Sequence, residues 1–142
     1  MFYALDPDHG AGAVPLASSG PVLDWSLSPD GQQIALIDRK DQERVQLLLL
    51  GNHTARTLDL GKWSHVSAQL QFVRWFPNGR GLYVTAFLPS GTTLLSVGLD
   101  GNASVLSQGH NWLCCPIPAP NGKLLGYSLT QIQRDLALIE NL

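Results

Sequence analysis

Residues 24–37 read DWSLSPDGQQIALI, a pattern that is typical of two β-strands joined by a tight turn. Two runs that suit β-strands flank the tripeptide Pro29-Asp30-Gly31, which has the chemistry of a tight turn. Proline fixes φ in the turn, aspartate bonds to its own backbone, and glycine accepts the positive φ that follows. The stretch therefore predicts a β-hairpin whose second strand, apolar at nearly every position, is buried on both faces.

The hairpin pattern returns twice along the chain. Residues 74–84 read RWFPNGRGLYV and residues 117–127 read IPAPNGKLLGY, so that the turn prolines lie 48 and 43 residues apart. A second landmark repeats with the hairpin, because VQLLLLGN at 45–52 corresponds to TLLSVGLDGN at 93–102. Each landmark ends in Gly-Asn and precedes a short run of alternating polar and apolar residues. The pattern predicts repeated units of four strands, A to D.

These units divide the chain into about three four-stranded antiparallel blades, at 22–60, 70–107 and 113–142. The third contains strands A, B and C, with C at 135–142, and lacks strand D. Residues 1–17 form a partial blade of C and D strands. Four short strands every 40–50 residues are typical of a β-propeller, whose blades pack face to face. We predict an all-β fold of propeller blades with helix content near zero. A β-sandwich whose hairpins share turn chemistry is the alternative.

Residues 25–35, WSLSPDGQQIA, resemble the repeat of TolB-type, WD-like propellers, in which an aromatic residue precedes Ser-Pro-Asp-Gly and Ile/Leu-Ala follows. The second copy departs from this pattern, with Phe76 in place of the small residue and Asn78 in place of the aspartate. The third copy has lost the aromatic residue, at Ile117. The resemblance implies a propeller, which needs about 4–8 blades to close. The chain is then the C-terminal portion of a larger propeller or a subunit of a homo-oligomer. Copies would join through open blade faces, or the N-terminal strand of one would complete the last blade of another.

Charge and hydropathy argue against two classes of partner. Charged residues make up 14% of the chain, the net charge is -2, and the largest basic cluster is Arg39-Lys40, so we expect no nucleic-acid partner. The longest aliphatic run, at 45–50 and broken by Gln46, is far shorter than the ~20 residues that span a bilayer. The N-terminus lacks the features of a signal peptide. We expect the chain to stay where it is made, in the cytoplasm by default, or in the periplasm if it derives from a longer precursor.

The sequence contains no catalytic or cofactor motif. It lacks Gly-x-Ser-x-Gly, the histidine motifs of metalloproteases and the glycine patterns of nucleotide sites, and its carboxylates are scattered. We predict that the protein is not an enzyme and holds neither a cofactor nor a metal. Cys114 and Cys115 are adjacent and should point to opposite faces of a strand. We therefore expect two buried free thiols rather than a disulfide.

Residues 52–54 (NHT) and 102–104 (NAS) match the N-glycosylation acceptor pattern. Both asparagines follow a glycine at the place where a hairpin turn requires positive φ. The turn accounts for both sites at once, so we prefer it to glycosylation as the explanation of these two sequences.

The candidate binding residues are Trp63, His65, His110 and Trp112, two histidine–tryptophan pairs that each lie just before an A strand. The D–A connections of a propeller lie on one rim, so both pairs could face the same surface. Tryptophan is favoured in binding hot spots because it buries a large area and keeps one polar group. In the alternative, Trp63 and Trp112 pack between neighbouring blades and bind nothing.

The leading hypothesis is therefore a non-catalytic propeller module that mediates protein–protein interaction through this rim. A regulatory or sensor region of a larger kinase, transcriptional regulator or peptidase is the second hypothesis, because blades of this type can follow such domains. A small-molecule or carbohydrate site in the central channel is a weaker third.

Overall fold

The computed structural model describes residues 2–4, 8, 14–17, 20–65 and 68–131. The strands are β1 (Phe2–Ala4), β2 (Val14–Ala17), β3 (Val22–Leu27), β4 (Gln33–Asp38), β5 (Val45–Leu49), β6 (Thr54–Leu58), β7 (Gln69–Trp75), β8 (Gly81–Leu88), β9 (Gly91–Gly98), β10 (Ala103–Gly109), β11 (Trp112–Pro118) and β12 (Leu125–Thr130), with one helix, α1 (Lys62–His65). Within these ranges, helix is limited to that single turn, and no helix is long and apolar enough to cross a membrane.

The strands form antiparallel sheets in the order that the repeats predict. β3-β4-β5-β6 make one four-stranded sheet, called blade 1, and β7-β8-β9-β10 make another, called blade 2. β1-β2 and β11-β12 are two-stranded sheets, and the β11-β12 sheet is called blade 3. The predicted C strand at 135–142 lies outside the described residues. The predicted limits of the blades stay predictions.

The three A–B turns have the same backbone geometry. In the first, the Gly31 amide donates to the Ser28 carbonyl at 2.9 Å, and the Ser28 amide donates to the Gln33 carbonyl at 2.8 Å. The turns that begin at Phe76 and Ala119 repeat both bonds. The fourth turn residue is always a glycine, with φ of 70°, 72° and 69° along the chain. The hairpin prediction is confirmed in all three copies.

Blades 1 and 2 lie side by side with their A strands pointing the same way. The Val73 amide donates to Asp24 Oδ2 at 2.8 Å, and the Trp75 amide donates to Ser26 Oγ at 3.3 Å. Arg74 Nη1 also pairs with Asp24 Oδ2, at 2.7 Å. The offset between partners stays at 49 residues, so β3 and β7 run in parallel. Both A strands therefore begin at one rim of the structure, where both B strands end.

The main core fills the space between blades 1 and 2. Its fully buried side chains include Ile37 and Val45 from blade 1 and Leu70, Val84 and Val97 from blade 2. β8 is buried almost throughout because blade 3 lies on its other side. This arrangement explains the continuous apolar run of a B strand, since both faces leave water.

A smaller core joins the N-terminal hairpin to blade 1. Phe2 of β1 is buried against Ile34, Leu36 and Leu48, and its ring lies edge-on to Trp25 with the centroids 5.2 Å apart. β1 is therefore attached to the outer face of blade 1.

The expectation of two free thiols is wrong, because Cys114 and Cys115 form a disulfide. The prediction assumed regular strand alternation, and β11 breaks it at this point. Cys115 has a φ of 61°, and the register between β11 and β12 shifts between Cys114 and Ile117. The irregular backbone turns neighbouring side chains toward each other, so the two sulfur atoms can meet.

The C–D turns also differ from the expectation. Positive φ falls on His53 in blade 1, at 55°, and on Gly101 in blade 2, at 89°. The side chain of Asn52 accepts the Thr54 amide as Asp100 accepts the Asn102 amide, at 3.1 and 3.0 Å. The two Gly-Asn pairs are thus offset by two residues in the fold. Gly51 has no positive φ, and the turn explanation of both pairs is wrong for blade 1.

Candidate functional site

The connection between blades 1 and 2 places Trp63 in the interior. Gly61, with a φ of 60°, precedes the single turn of α1, and the Leu60 amide donates to Ser64 Oγ at 2.8 Å. Trp63 is only 8% exposed and belongs to the core between the blades. Lys62 Nζ lies 5.2 Å from the centre of its ring. Trp63 therefore has the position that the packing alternative describes. The side chain of His65 lies outside the described part of the structure.

The connection between blades 2 and 3 places His110 and Trp112 beside a hollow at the rim. The hollow has a volume of about 570 Å³, and its described lining comprises Phe87, Leu88, Pro89, Ser90, Gly91, His110, Asn111, Trp112 and Gln131. Trp112 is half-buried and packs against Phe87, with ring centroids 4.3 Å apart and planes inclined by 50°. The two aromatic rings form one wall of the hollow.

Two contacts hold this hollow in shape. The Nδ1 atom of His110 lies 2.9 Å from the carbonyl oxygen of Ser90. Gly91 has a φ of 136°, and a Cβ on it would clash with the Gly109 carbonyl. Only glycine therefore allows the β8–β9 turn to approach the chain before Trp112 so closely.

The described lining of this hollow carries no fixed charge. None of its described side chains belongs to Asp, Glu, Lys or Arg. A carbonyl oxygen only accepts hydrogen bonds, so Nδ1 of His110 holds the proton in the neutral ring. Its Nε2 is then an acceptor for a ligand. The hollow suits an uncharged group with an apolar face and a hydrogen-bond donor.

A second hollow lies next to the first on the same rim. It has a volume of about 690 Å³ and is lined by residues 39–44, Ala68 and Gln69. Its charged side chains include the ion pair of Arg44 and Asp41, at 3.8 Å. Gln69 pairs across the sheet with Phe87, which lines the first hollow. A single cross-strand pair of about 5 Å therefore separates an aromatic hollow from a charged one.

The structure thus joins two of the four predicted site residues. His110 and Trp112 line the aromatic hollow, whereas Trp63 lines a separate depression with 59–62 and 100–103. Sequence reasoning did not select Phe87, because its B strand reads as uniformly buried. It did not select Asn111 or Gln131 either, since exposed amides carry no pattern.

Two carboxyl groups outside the rim have shifted pKa values. A hydrogen bond from the Ser28 hydroxyl, at 2.6 Å, lowers the pKa of Asp30, with help from the Gln32 amide. The Asn102 amide lowers the pKa of Asp100 in the same way. Both carboxylates lie in turns, and the hydrogen bonds that lower their pKa values stabilise those turns. Within the described ranges, no three His, Cys, Asp or Glu side chains cluster closely enough to hold a metal ion.

No protein-family profile matches the sequence, and no curated protein matches it. Solved structures match the fold. The chain is similar to a protein assigned as TolB from Agrobacterium tumefaciens, with a TM-score of 0.73 and 19% identity, over 90% of this chain and 45% of that one. It is similar to the tricorn protease, with a TM-score of 0.61 and 13% identity, over 87% of this chain and 12% of that one.

The fold is that of β-propeller blades. A third match, the hydrazine synthase of Kuenenia stuttgartiensis, has a TM-score of 0.56 and 13% identity, over 87% of this chain and 34% of that one. At such identities the likeness concerns the fold alone. The chain spans less than half the length of each of these proteins. The prediction of an all-β, TolB-like propeller architecture is confirmed.

Proposed function

We propose that this chain is a non-catalytic β-propeller module that mediates protein–protein interaction. The observation that supports the proposal is the aromatic hollow of Trp112 and Phe87 at the rim between blades 2 and 3. Tryptophan is enriched among the residues that anchor protein interfaces. The proposed site keeps His110 and Trp112 of the predicted residues and adds Phe87. Trp63 is left out because it lies in the core between the blades.

The adjacent charged hollow favours a protein partner over a small molecule. An extended segment that crosses the Gln69–Phe87 pair would place an apolar side chain against Trp112. Its next residues would meet the mixed charges of Arg39, Lys40 and Asp41. An apolar centre with a polar border is the normal composition of a protein interface.

The test is selection of random displayed peptides on the full chain, followed by affinity measurement with labelled peptides. Trp112→Ala should weaken the selected peptides about tenfold or more, since truncation of a buried anchor typically costs over 1 kcal/mol. Leu106→Ala is the control, because Leu106 of the outer strand β10 is 51% exposed and does not line the hollow. Equal binding by wild type and Trp112→Ala, with both folded, would reject the site.

A second candidate is a propeller region within a larger polypeptide, with a regulatory or sensor role. The similar proteins favour it, because the matched region is 45%, 12% and 34% of their chains. An antibody raised against this chain should then detect a native protein well above 15.4 kDa in cells of the source organism. A native band at that mass would reject this candidate.

A further inference from the structure

The Cys114–Cys115 disulfide lies within a single strand. Both cysteines belong to β11 and are neighbours in sequence, so the bond joins no two elements of the fold. A disulfide stabilises a protein mainly by restricting the unfolded chain, and the effect grows with the length of the loop that it closes. Adjacent residues enclose almost no loop. The usual stabilising role therefore does not account for this bond.

The disulfide coincides with an irregularity that the other A strands have elsewhere. In β3 the register with the B strand shifts between residues 22 and 24, and in β7 it shifts between residues 70 and 72. These positions are equivalent when the A–B turns are aligned. The equivalent span in β11 is 113–115, but its register shifts between Cys114 and Ile117, closer to the turn. The β-bulge of β11 is therefore displaced along the strand.

The left-handed backbone of Cys115 accompanies this displacement. Its φ is 61°, which is unfavourable for a residue with a side chain. In β7 the equivalent Phe72 is regularly paired, and its amide donates to Thr85 Oγ1 at 3.1 Å. The residue equivalent to Thr85 is Ser128, which also has a hydroxyl group but lies opposite Cys114. The disulfide thus keeps Cys115 out of a pairing that the sequence of β12 permits.

We propose that Cys114 and Cys115 are a redox-active site, which a dithiol reductant opens reversibly and which changes the geometry of β11. One thiolate of the reductant attacks a sulfur atom of the pair, so that the S–S bond breaks and a mixed disulfide forms. The second sulfur of the reductant then displaces the cysteine sulfur. The reductant leaves as its own disulfide, and the protein has gained two electrons and two protons as two thiols. Freed of the bond, β11 adopts the bulge position of β7, with Cys115 opposite Ser128.

The surroundings of the pair allow this reaction. Both cysteines are partly exposed, which gives a reductant access to them. The neighbouring Pro116 does not prevent regular pairing with β12. It is equivalent to Val73, whose amide points away from β8 and donates to Asp24 of blade 1. A proline lacks only this amide hydrogen, which the pairing of the A and B strands does not use.

The change of geometry alters which of the two thiols faces outward. Alternate side chains of a regular strand share a face, so Cys115 joins the face of Ile117, which is 65% exposed. Cys114 takes the unpaired position of the bulge. The residues before the pair, Trp112 and Leu113, keep the same partners in β12 in both arrangements. The redox change is therefore independent of the function proposed for the aromatic hollow.

The first test counts the free thiols of the folded full chain. The air-oxidised chain is treated with dithiothreitol, free thiols are alkylated with N-ethylmaleimide, and the adducts are counted by mass spectrometry. We expect no adduct before the dithiol, two after it, and none again after oxidised dithiothreitol, with an unchanged circular dichroism spectrum. Two adducts on the air-oxidised chain, opening of the bond only after unfolding in urea, or loss of the fold on reduction would each overturn the proposal.

The second test measures the hydrogen exchange of single amides by NMR in the oxidised and the reduced chain. The Cys115 amide should exchange about tenfold more slowly after reduction, because it gains Ser128 as its partner. The Leu113 amide, which donates to Thr92 Oγ1, is the internal control and should not change. The double variant Cys114→Ser/Cys115→Ser should show slow exchange at position 115 with or without the dithiol. Equal exchange at Cys115 in both redox states would overturn the proposal.

Discussion

Removal of the Asp24 carboxylate should loosen blade 1 from blade 2. Asp24 Oδ2 accepts two bonds from the neighbouring blade, from the Val73 amide at 2.8 Å and from Arg74 Nη1 at 2.7 Å. Val73 is fully buried, so its amide finds no water when the carboxylate is lost. The substitution Asp24→Ala leaves a buried donor unsatisfied between the two largest sheets.

The magnitude follows from these two bonds. A buried amide without a partner costs about 1–3 kcal/mol. The ion pair adds about 1 kcal/mol at most, since the side chains of Arg74 and Asp24 are 27% and 17% exposed and Arg74 can turn to solvent. We expect Asp24→Ala to lower the free energy of unfolding by about 2–4 kcal/mol. Arg74→Met should cost about 1 kcal/mol, because the amide bond remains.

The assay is equilibrium unfolding in urea at one protein concentration, followed by tryptophan fluorescence. Trp75 reports on the interface directly, because its Nε1 donates to the Ser26 carbonyl at 3.0 Å. Asp41→Ala is the matched control, since Asp41 is 41% exposed and pairs with Arg44 at only 3.8 Å. It should change the unfolding free energy by about 0.5 kcal/mol or less. If Asp24→Ala were no more destabilising than Asp41→Ala, the role assigned to this carboxylate would be wrong.

Three further predictions concern single side chains. Trp63→Ala should lower the unfolding free energy by about 3–5 kcal/mol and Trp112→Ala by less than half of that, because only Trp63 is in the core; similar urea midpoints would contradict this. Thr93→Val should raise the unfolding free energy by about 1 kcal/mol, since Thr93 Oγ1 is buried without a partner among the described residues; a lower midpoint would count against it. The folded-state pKa of Asp30 is depressed, so its charge stabilises the fold above the unfolded-state pKa and this contribution is lost as pH falls through the folded-state pKa. Asp30→Asn should therefore be less stable than wild type at neutral pH, and urea midpoints measured toward acid pH should converge; a constant gap would refute the assignment.

The sequence predicts the repeated hairpins well because their chemistry is local. The A–B turn depends on a proline, an Asx side chain and a glycine within three residues, and all three copies form it. The C–D turns were less predictable, since His53 takes the left-handed conformation that Gly101 takes in blade 2. A histidine there leaves no signal, and the Gly-Asn pairs suggested a false alignment.

The candidate site was predictable only in part. His110 and Trp112 were found because aromatic and imidazole groups stand out beside a predicted strand. Their partner Phe87 lies 25 residues from Trp112 and meets it through the packing of two blades. The disulfide of Cys114 and Cys115 depends on an irregular backbone. The spacing of apolar residues along the sequence does not encode contacts between distant residues or departures from regular strand geometry.

The shared geometry of the A–B turns bears on how such a protein can evolve. The first turn position holds Ser28, Phe76 or Ala119, yet the same two backbone bonds form each time. All three side chains allow these two bonds because the bonds use only main-chain atoms, although the Ser28 hydroxyl also donates to the Asp30 carboxylate and accepts from the Gln33 amide. Duplicated gene segments could diverge at this position without loss of the hairpin, and each copy could acquire its own local surface. The backbone of the hairpin can thus be kept while the side chain at this position changes from copy to copy.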